Sequence, residues 1–266
     1  MLRSLLKLTL LITVFTVSHE AVAQTVNIGQ IIQQLESSGA LDRAVQKSLD
    51  RIRQKNLLTQ KLEEAKAEKQ KKGLAKNVRT IDPATEFIYG SLAAPISIIE
   101  YSDLECPYCQ KFSEVPIELA NQMPETVNVV WRNFPLPFHN PMATIEASGA
   151  ICAGKLGGNE AFWKFSQSVF QSTKLNGQGM PSDKGDEPNL KIAKSLGINP
   201  DQFESCITSE EVQLQIRADI QDGIGAGING TPGVILVNHQ NGKVDVIGGA
   251  VSIEILKEVV NSLMAK

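Results

Sequence analysis

Two cysteines three residues apart, set where a strand pattern gives way to a helix pattern, constrain this chain more than any other feature. The stretch runs from Glu100 to Cys109 and ends in Cys106-Pro107-Tyr108-Cys109. Ile96, Ile98 and Ile99 precede it as an apolar strand, and Phe112, Val115, Ile117 and Leu119 follow at helical spacing. A Cys-x-x-Cys at such a junction is a redox signature. Residues three apart share a helix face, so two sulfurs there can close a short disulfide ring and reopen it. Pro107 suits the first helical turn, where its missing N–H would be unpaired anyway. Cys106 falls at the helix start, where free amides and the helix dipole favour negative charge. That marks Cys106 as the nucleophile and Cys109, one turn deeper, as the resolving thiol. Half a zinc site and a purely structural disulfide are the alternatives. Zinc needs two further ligands, yet Cys152 and Cys206 stand apart, and only His139 and His239 lie beyond the first twenty residues. Both histidines are assigned to structure, and neither metal nor cofactor is expected.

The 266 residues suffice for one large domain or two modest ones, and a formal charge of −3 gives no reason to expect nucleic-acid binding. Arg3 and Lys7, the apolar run Leu8 to Val17 and Ala21-Val22-Ala23 together read as a signal peptide over residues 1–23. An uncleaved anchor is the alternative, although the run is short for a bilayer. Export would carry the chain into a compartment where disulfides persist. Cys152 and Cys206 are then candidates for a structural bridge, worth roughly 4 kcal/mol by chain entropy. Two buried free thiols are the other reading.

Residues 24–72 read as amphipathic helices. Ile28, Ile31, Ile32 and Leu35 mark the first; Leu41, Val45, Leu49, Ile52, Leu58 and Leu62 mark a longer one from about Ala40 to Lys71. Without an aromatic residue, these stripes are too thin to build a core of their own. They must bury against a second copy, as in a homodimer, or against the downstream domain. Residues 73–84 read as a linker. From 85 to 266 the pattern is β–β–α–β, a helical block over about 140–222, then β–β–α. The fold class is therefore α/β, preceded by helices.

Glu100, Cys106-Pro107-Tyr108-Cys109, Phe134-Pro-Leu-Pro and Gly230-Thr-Pro-Gly233 together resemble the DsbA-like periplasmic thiol–disulfide oxidoreductases. That resemblance implies a thioredoxin fold with an inserted helical domain, covering about Thr85 to Lys266. It implies a cis bond before Pro232, so that Thr231 offers its backbone to an extended substrate, with Pro107 and Tyr108 alongside. Glu100, a carboxylate among isoleucines, should have a raised pKa, and by analogy it would help move the proton of Cys109. A strand-end glutamate reaching solvent is the alternative. The Pro-Tyr dipeptide and Thr231 are similar to the isomerases DsbG and DsbC. Tyr108 cannot supply the positive charge that a histidine there would, so a less oxidising potential follows. The N-terminal helices look like the oligomerisation arms of some DsbA-like proteins.

The expectation is a periplasmic or envelope-associated disulfide isomerase, or bifunctional oxidase–isomerase, acting on exported proteins. A membrane redox partner of DsbB or DsbD type would recharge it. The rivals are a monofunctional DsbA-type oxidase and a non-catalytic, chaperone-like binding protein.

Overall fold

The computed structural model describes residues 27–182 and 187–265. The expected signal peptide, residues 1–23, lies outside them. The chain divides into two compact units, one ending at Lys61 and the other beginning at Leu62.

The first helix, α1 (Ile28–Ser37), starts where the Asn27 side chain accepts a hydrogen bond from Gln30 N. It buries none of its residues. Helix α2 (Ala40–Ala75) is continuous through Gly73, into the expected linker. A helical glycine costs under about 1 kcal/mol relative to alanine. The only buried residue of α2 is Ala75, which joins the core of the second unit.

In the second unit β1 (Phe87–Tyr89), β2 (Ile96–Ser102), β3 (Val127–Asn133), β4 (Gly233–Asn238) and β5 (Val244–Gly248) form one sheet, ordered β1-β3-β2-β4-β5. Only β2 and β3 are parallel, and every residue of both is buried, as central strands covered on two faces require. Alternation sorts their side chains between the faces. Ile96, Ile98, Val127 and Val129 pack with Phe112, Leu119, Leu256 and Val260, from α3 (Pro107–Phe112), α4 (Glu114–Gln122) and the C-terminal helix α10 (Ile253–Met264). Ile99, Tyr101 and Val130 point the other way, toward Phe134, Ala226 and Ile228.

The helical block comprises α5 (Met142–Gly157), α6 (Asn159–Ser172), α7 (Pro188–Ser195), α8 (Pro200–Ile207) and α9 (Glu210–Gly225). Its core is continuous with the region of the paired cysteines, because Leu104, Cys106 and Cys109 belong to the same buried cluster as Phe162, Phe165 and Phe203. Phe87 stacks on Phe162 at 4.0 Å between centroids. This contact needs a glycine at 154, where an added Cβ would lie 2.1 Å from the Phe87 ring. Cys152 of α5 and Cys206 of α8 form a disulfide with an S–S distance of 2.06 Å, spanning 54 positions of sequence.

Two elements that read as single helices are divided. The helix after the cysteines breaks at Ser113, and Pro116 in the first turn of α4 has no N–H to carry the α3 ladder forward. Within the helical block, residues 200–222 carry one continuous helical pattern, which breaks at Thr208. There the Ser209 side chain accepts from Val212 N and starts α9 afresh.

A buried ionic network ties the sheet to α9. Arg132 is fully buried; it donates to Glu86 and to Asp222, each at 2.6 Å, and to Arg79 O at 3.0 Å. Removing one partner of such a pair leaves an uncompensated buried charge. Arg132→Met should therefore cost about 3 kcal/mol or more in urea unfolding of the oxidised protein. A loss below about 1 kcal/mol would show that Arg79 alone neutralises these carboxylates.

Candidate active site

Strand β2 ends in a tight turn, Asp103 to Cys106, closed by Cys106 N donating to Asp103 O at 3.0 Å. Cys106 is the N-cap of α3, with Pro107 in the first turn. Its sulfur faces the free amides of that turn and lies 3.4 Å from Thr231 O, to which the thiol donates. Both cysteines are unpaired thiols. The Cys106 thiol is pulled down from 9.0 to about 5, first by a hydrogen bond from Cys109, against the opposing effect of burial. The Thr231 side chain and the amides of Cys109 and Tyr108 add to the lowering. Cys109 moves the other way. Burial and its bond to Cys106 push it well up, and the nearby Glu100 carboxyl pushes further. One sulfur is set to be a thiolate and its neighbour to keep its proton.

Glu100 lies fully buried on the face of β2 shared with Ile96 and Ile98. It does not reach solvent. Burial raises its pKa to about 7, partly offset by Ser102, with the Cys106 charge raising it further. The Thr231–Pro232 bond is cis, and Pro232 O holds the chain's return through Gly249 N at 2.9 Å. Tyr108 stands out into solvent beside the pair, 63% exposed, with Lys111 over its ring. Glu100 Oε1, Ser102 Oγ and Thr231 Oγ1 are buried without a conventional hydrogen-bond partner. Unsatisfied buried polar atoms are uncommon, and here three fall around one pair of sulfurs. Ser102 carried no chemical signal in the sequence, being one more polar residue at a strand end. Its position next to Cys109 comes from the alternation of β2.

The structure also brings His139 to this site, where the sequence offered it no partner. His139 Nδ1 donates to Asp103 Oδ2 at 2.7 Å, and both residues are buried. His239 pairs elsewhere, with Ser97 Oγ at 2.8 Å. Next to Asp103, Glu105 accepts from the Thr173 hydroxyl and from Gly179 N at 3.2 Å, which fastens the turn after α6 to the residue preceding Cys106. Behind it Glu146 is fully buried and, among the described residues, receives no hydrogen bond. Its neighbour is the Glu105 carboxyl, so contact between the two is favourable only if a proton lies between them. Burial first, then the charges of Glu105 and Asp103, hold the Glu146 pKa near about 9. Among the described residues no group of three or more His, Cys, Asp or Glu is arranged to hold a metal ion.

A family model described as thioredoxin matches residues 82–261. The crystal structure of Pseudomonas aeruginosa DsbA2 is 30% identical, covering 69% of this chain and 97% of that one at a TM-score of 0.61. A linker-deletion mutant of Proteus mirabilis ScsC is similar in fold at 19% identity, covering 87% of this chain and 95% of that one at a TM-score of 0.54. A curated relative, the Na(+)/H(+) antiporter NhaA 1 of Salinispora arenicola, is 28% identical over 185 residues, but the chain spans only 26% of that relative's length. Among the described residues no helix is long and apolar enough to cross a membrane.

Thiolate absorbance of the reduced protein should titrate with a midpoint near 5, the value to which Cys106 is lowered. Cys109→Ala should move that midpoint upward, because the Cys109 hydrogen bond is the largest lowering influence. With its pKa depressed, Cys106 stabilises the reduced fold above the ordinary thiol range, and this is lost as pH falls through about 5. Glu146 carries the opposite sign. Its folded pKa is raised from 4.5 to about 9, so its share of stability is intact below 4.5 and declines as pH rises toward 9. Glu146→Gln, whose amide can donate to Glu105, should gain on the parent by roughly 1.4 kcal/mol per pH unit across that window. Parallel unfolding curves of the two oxidised proteins at low and high pH would contradict this.

Proposed function

Because this chain belongs to the thioredoxin family, and its fold and cysteine pair are those of a DsbA-type thiol–disulfide oxidoreductase, we propose that it rearranges disulfides in exported proteins. The reading is of a periplasmic isomerase, or bifunctional oxidase–isomerase. The observation that carries it is the pair of oppositely shifted thiols set against the Thr231–Pro232 turn. The Cys106 thiolate attacks one sulfur of a client disulfide. A Cys106–client disulfide forms, and the second client sulfur leaves as a thiolate. Cys109 then gives up its proton, with Glu100 as the buried acceptor, and attacks Cys106. The Cys106–Cys109 bond forms and the client is released reduced. If the freed client thiolate attacks the mixed disulfide first, the client leaves isomerised and the pair stays reduced. Thr231 and Pro232 hold the client backbone, with Pro107 and Tyr108 beside it. A membrane partner of DsbB or DsbD type resets the pair.

Two further observations favour this setting. The Cys152–Cys206 bridge suits an oxidising compartment. The stripe Ile28, Ile31, Ile32, Leu35, Leu41, Val45, Leu49 and Ile52 is exposed along its length. Exposed apolar stripes of that kind fit a second copy of the chain, with residues 24–72 as the dimer arm. Two sites facing a shared space suit isomerisation.

Refolding of scrambled ribonuclease tests the reading, with oxidation of a reduced peptide measured beside it. The isomerase reading expects activity in the first assay that Cys106→Ala abolishes. Oxidation without refolding would leave a DsbA-type oxidase; undiminished function of Cys106→Ala in cells would leave a binding protein. Val45→Glu with Leu49→Glu should halve the native mass and lower refolding more than peptide oxidation. An unchanged mass would remove the arm from the account.

A further inference from the structure

The residue that faces the resolving sulfur is Asp103, and it does so with its backbone. Asp103 N donates to Cys109 Sγ at 3.5 Å, within a fully buried setting. The Ser102–Asp103 peptide is held at its carbonyl end by Phe134 N, which donates to Ser102 O at 2.8 Å. At the Asp103 end the side chain holds it, through three bonds. Oδ1 accepts from Glu105 N at 2.8 Å; Oδ2 accepts from Leu136 N at 2.8 Å and from His139 Nδ1 at 2.7 Å. Two backbone N–H groups already donate to this carboxyl, so it is placed as the acceptor and His139 is assigned as the donor, in the tautomer with hydrogen on Nδ1.

His139 is itself held. It closes the 3-10 turn Pro137–His139, its ring lies edge-on to Phe138 at 4.5 Å, and its backbone abuts Gly177 of the turn after α6. His139 thus reaches across from the segment after β3 and holds the segment after β2 from a side that no residue of the Cys-x-x-Cys stretch can supply.

We propose that His139 is a positioning residue for the resolving step: by holding the Asp103 carboxylate, it aims the Asp103 N–H at Cys109 Sγ, where negative charge gathers as that sulfur attacks the mixed disulfide. This rests on the reading of Cys106 as attacking and Cys109 as resolving thiol. In the step concerned, the Cys109 S–H gives its proton to the Glu100 carboxylate, the Cys106–Cys109 bond forms, the Cys106–partner bond breaks and the partner leaves as a thiolate. A fixed N–H donor at the attacking sulfur lowers the cost of the buried charge without taking part in the attack by Cys106. A histidine that merely stapled its loop would alter both steps together, or neither.

Stopped-flow reaction of the reduced, full-length protein with Ellman's reagent separates the two steps. One equivalent of thionitrobenzoate is released when Cys106 attacks, and a second when Cys109 displaces the mixed disulfide. His139→Leu fills the space without the donor. It should leave the first release within about twofold of the parent and slow the second about tenfold, equivalent to roughly 1.4 kcal/mol. His139→Asn, whose side-chain N–H takes the place of Nδ1–H, should recover most of the second rate. An unchanged second release in His139→Leu, slowing of both releases alike, or no recovery in His139→Asn overturns the proposal. If the parent protein releases no second equivalent, the assignment of Cys109 as resolving thiol has failed, and the role of His139 goes with it. If the parent releases both and His139→Leu does too at parental rates, only the role of His139 falls.

Discussion

The contact on which the rest depends joins two segments 125 residues apart, the start of α3 and the Thr231–Pro232 turn. Neither half has the site's chemistry alone. The helix start supplies amides and a sulfur, and the turn supplies a carbonyl and a hydroxyl with no other partner. The sheet is what brings them together. Strand β2 delivers Cys106, β4 begins immediately after Pro232, and the two strands pair antiparallel with Tyr101 opposite Gly233. Any change of register there would carry Thr231 away from the sulfur and turn alternate side chains to the wrong face.

Around that contact the fold sorts its buried carboxyl groups by what they can bond to. On the face of the sheet away from Cys109, Glu86, Asp219 and Asp222 are matched by Arg79 and Arg132, so their charge is neutralised where it stands. On the side of the cysteines no arginine or lysine among the described residues is paired with Glu100 or Glu146, and both are pushed toward the protonated form. Asp103 is held by two amides and a histidine. Buried carboxyl groups are thus ion-paired on one face and left without a cation on the other. The difference is the presence or absence of a cation within bonding distance.

The helical block packs the two sulfurs into the core. Leu104, Cys106 and Cys109 share one buried cluster with the aromatic residues of α6, and the Gln110 side chain donates to Phe170 O. The Cys152–Cys206 bridge braces α5 against α8 inside that block. Glu105 then fastens the turn after α6 to the active loop. Rigidity at the sulfurs is therefore supplied from elements far away in sequence, as preorganised sites require.

Much of this was written locally. The Cys-x-x-Cys at a strand–helix junction, the isoleucine-rich strand before it and the amphipathic stripes of residues 28–62 are short-range signals, and each element forms where its pattern lies. Boundaries were less legible where a cap or a proline competes with periodicity, as at Ser113 and Ser209, and where a helix runs through a glycine, as at Gly73. The resemblance carried by a few motifs extended that local reading to the fold and reaction class. Tertiary structure alone decided that His139 touches Asp103, that Ser102 lies by Cys109, and that Glu146 is left with only another carboxyl to face. The physical reason is reach. Periodicity and capping act over a few residues, whereas a buried pKa or an aimed N–H depends on which distant segment the packed core places within about 3 Å.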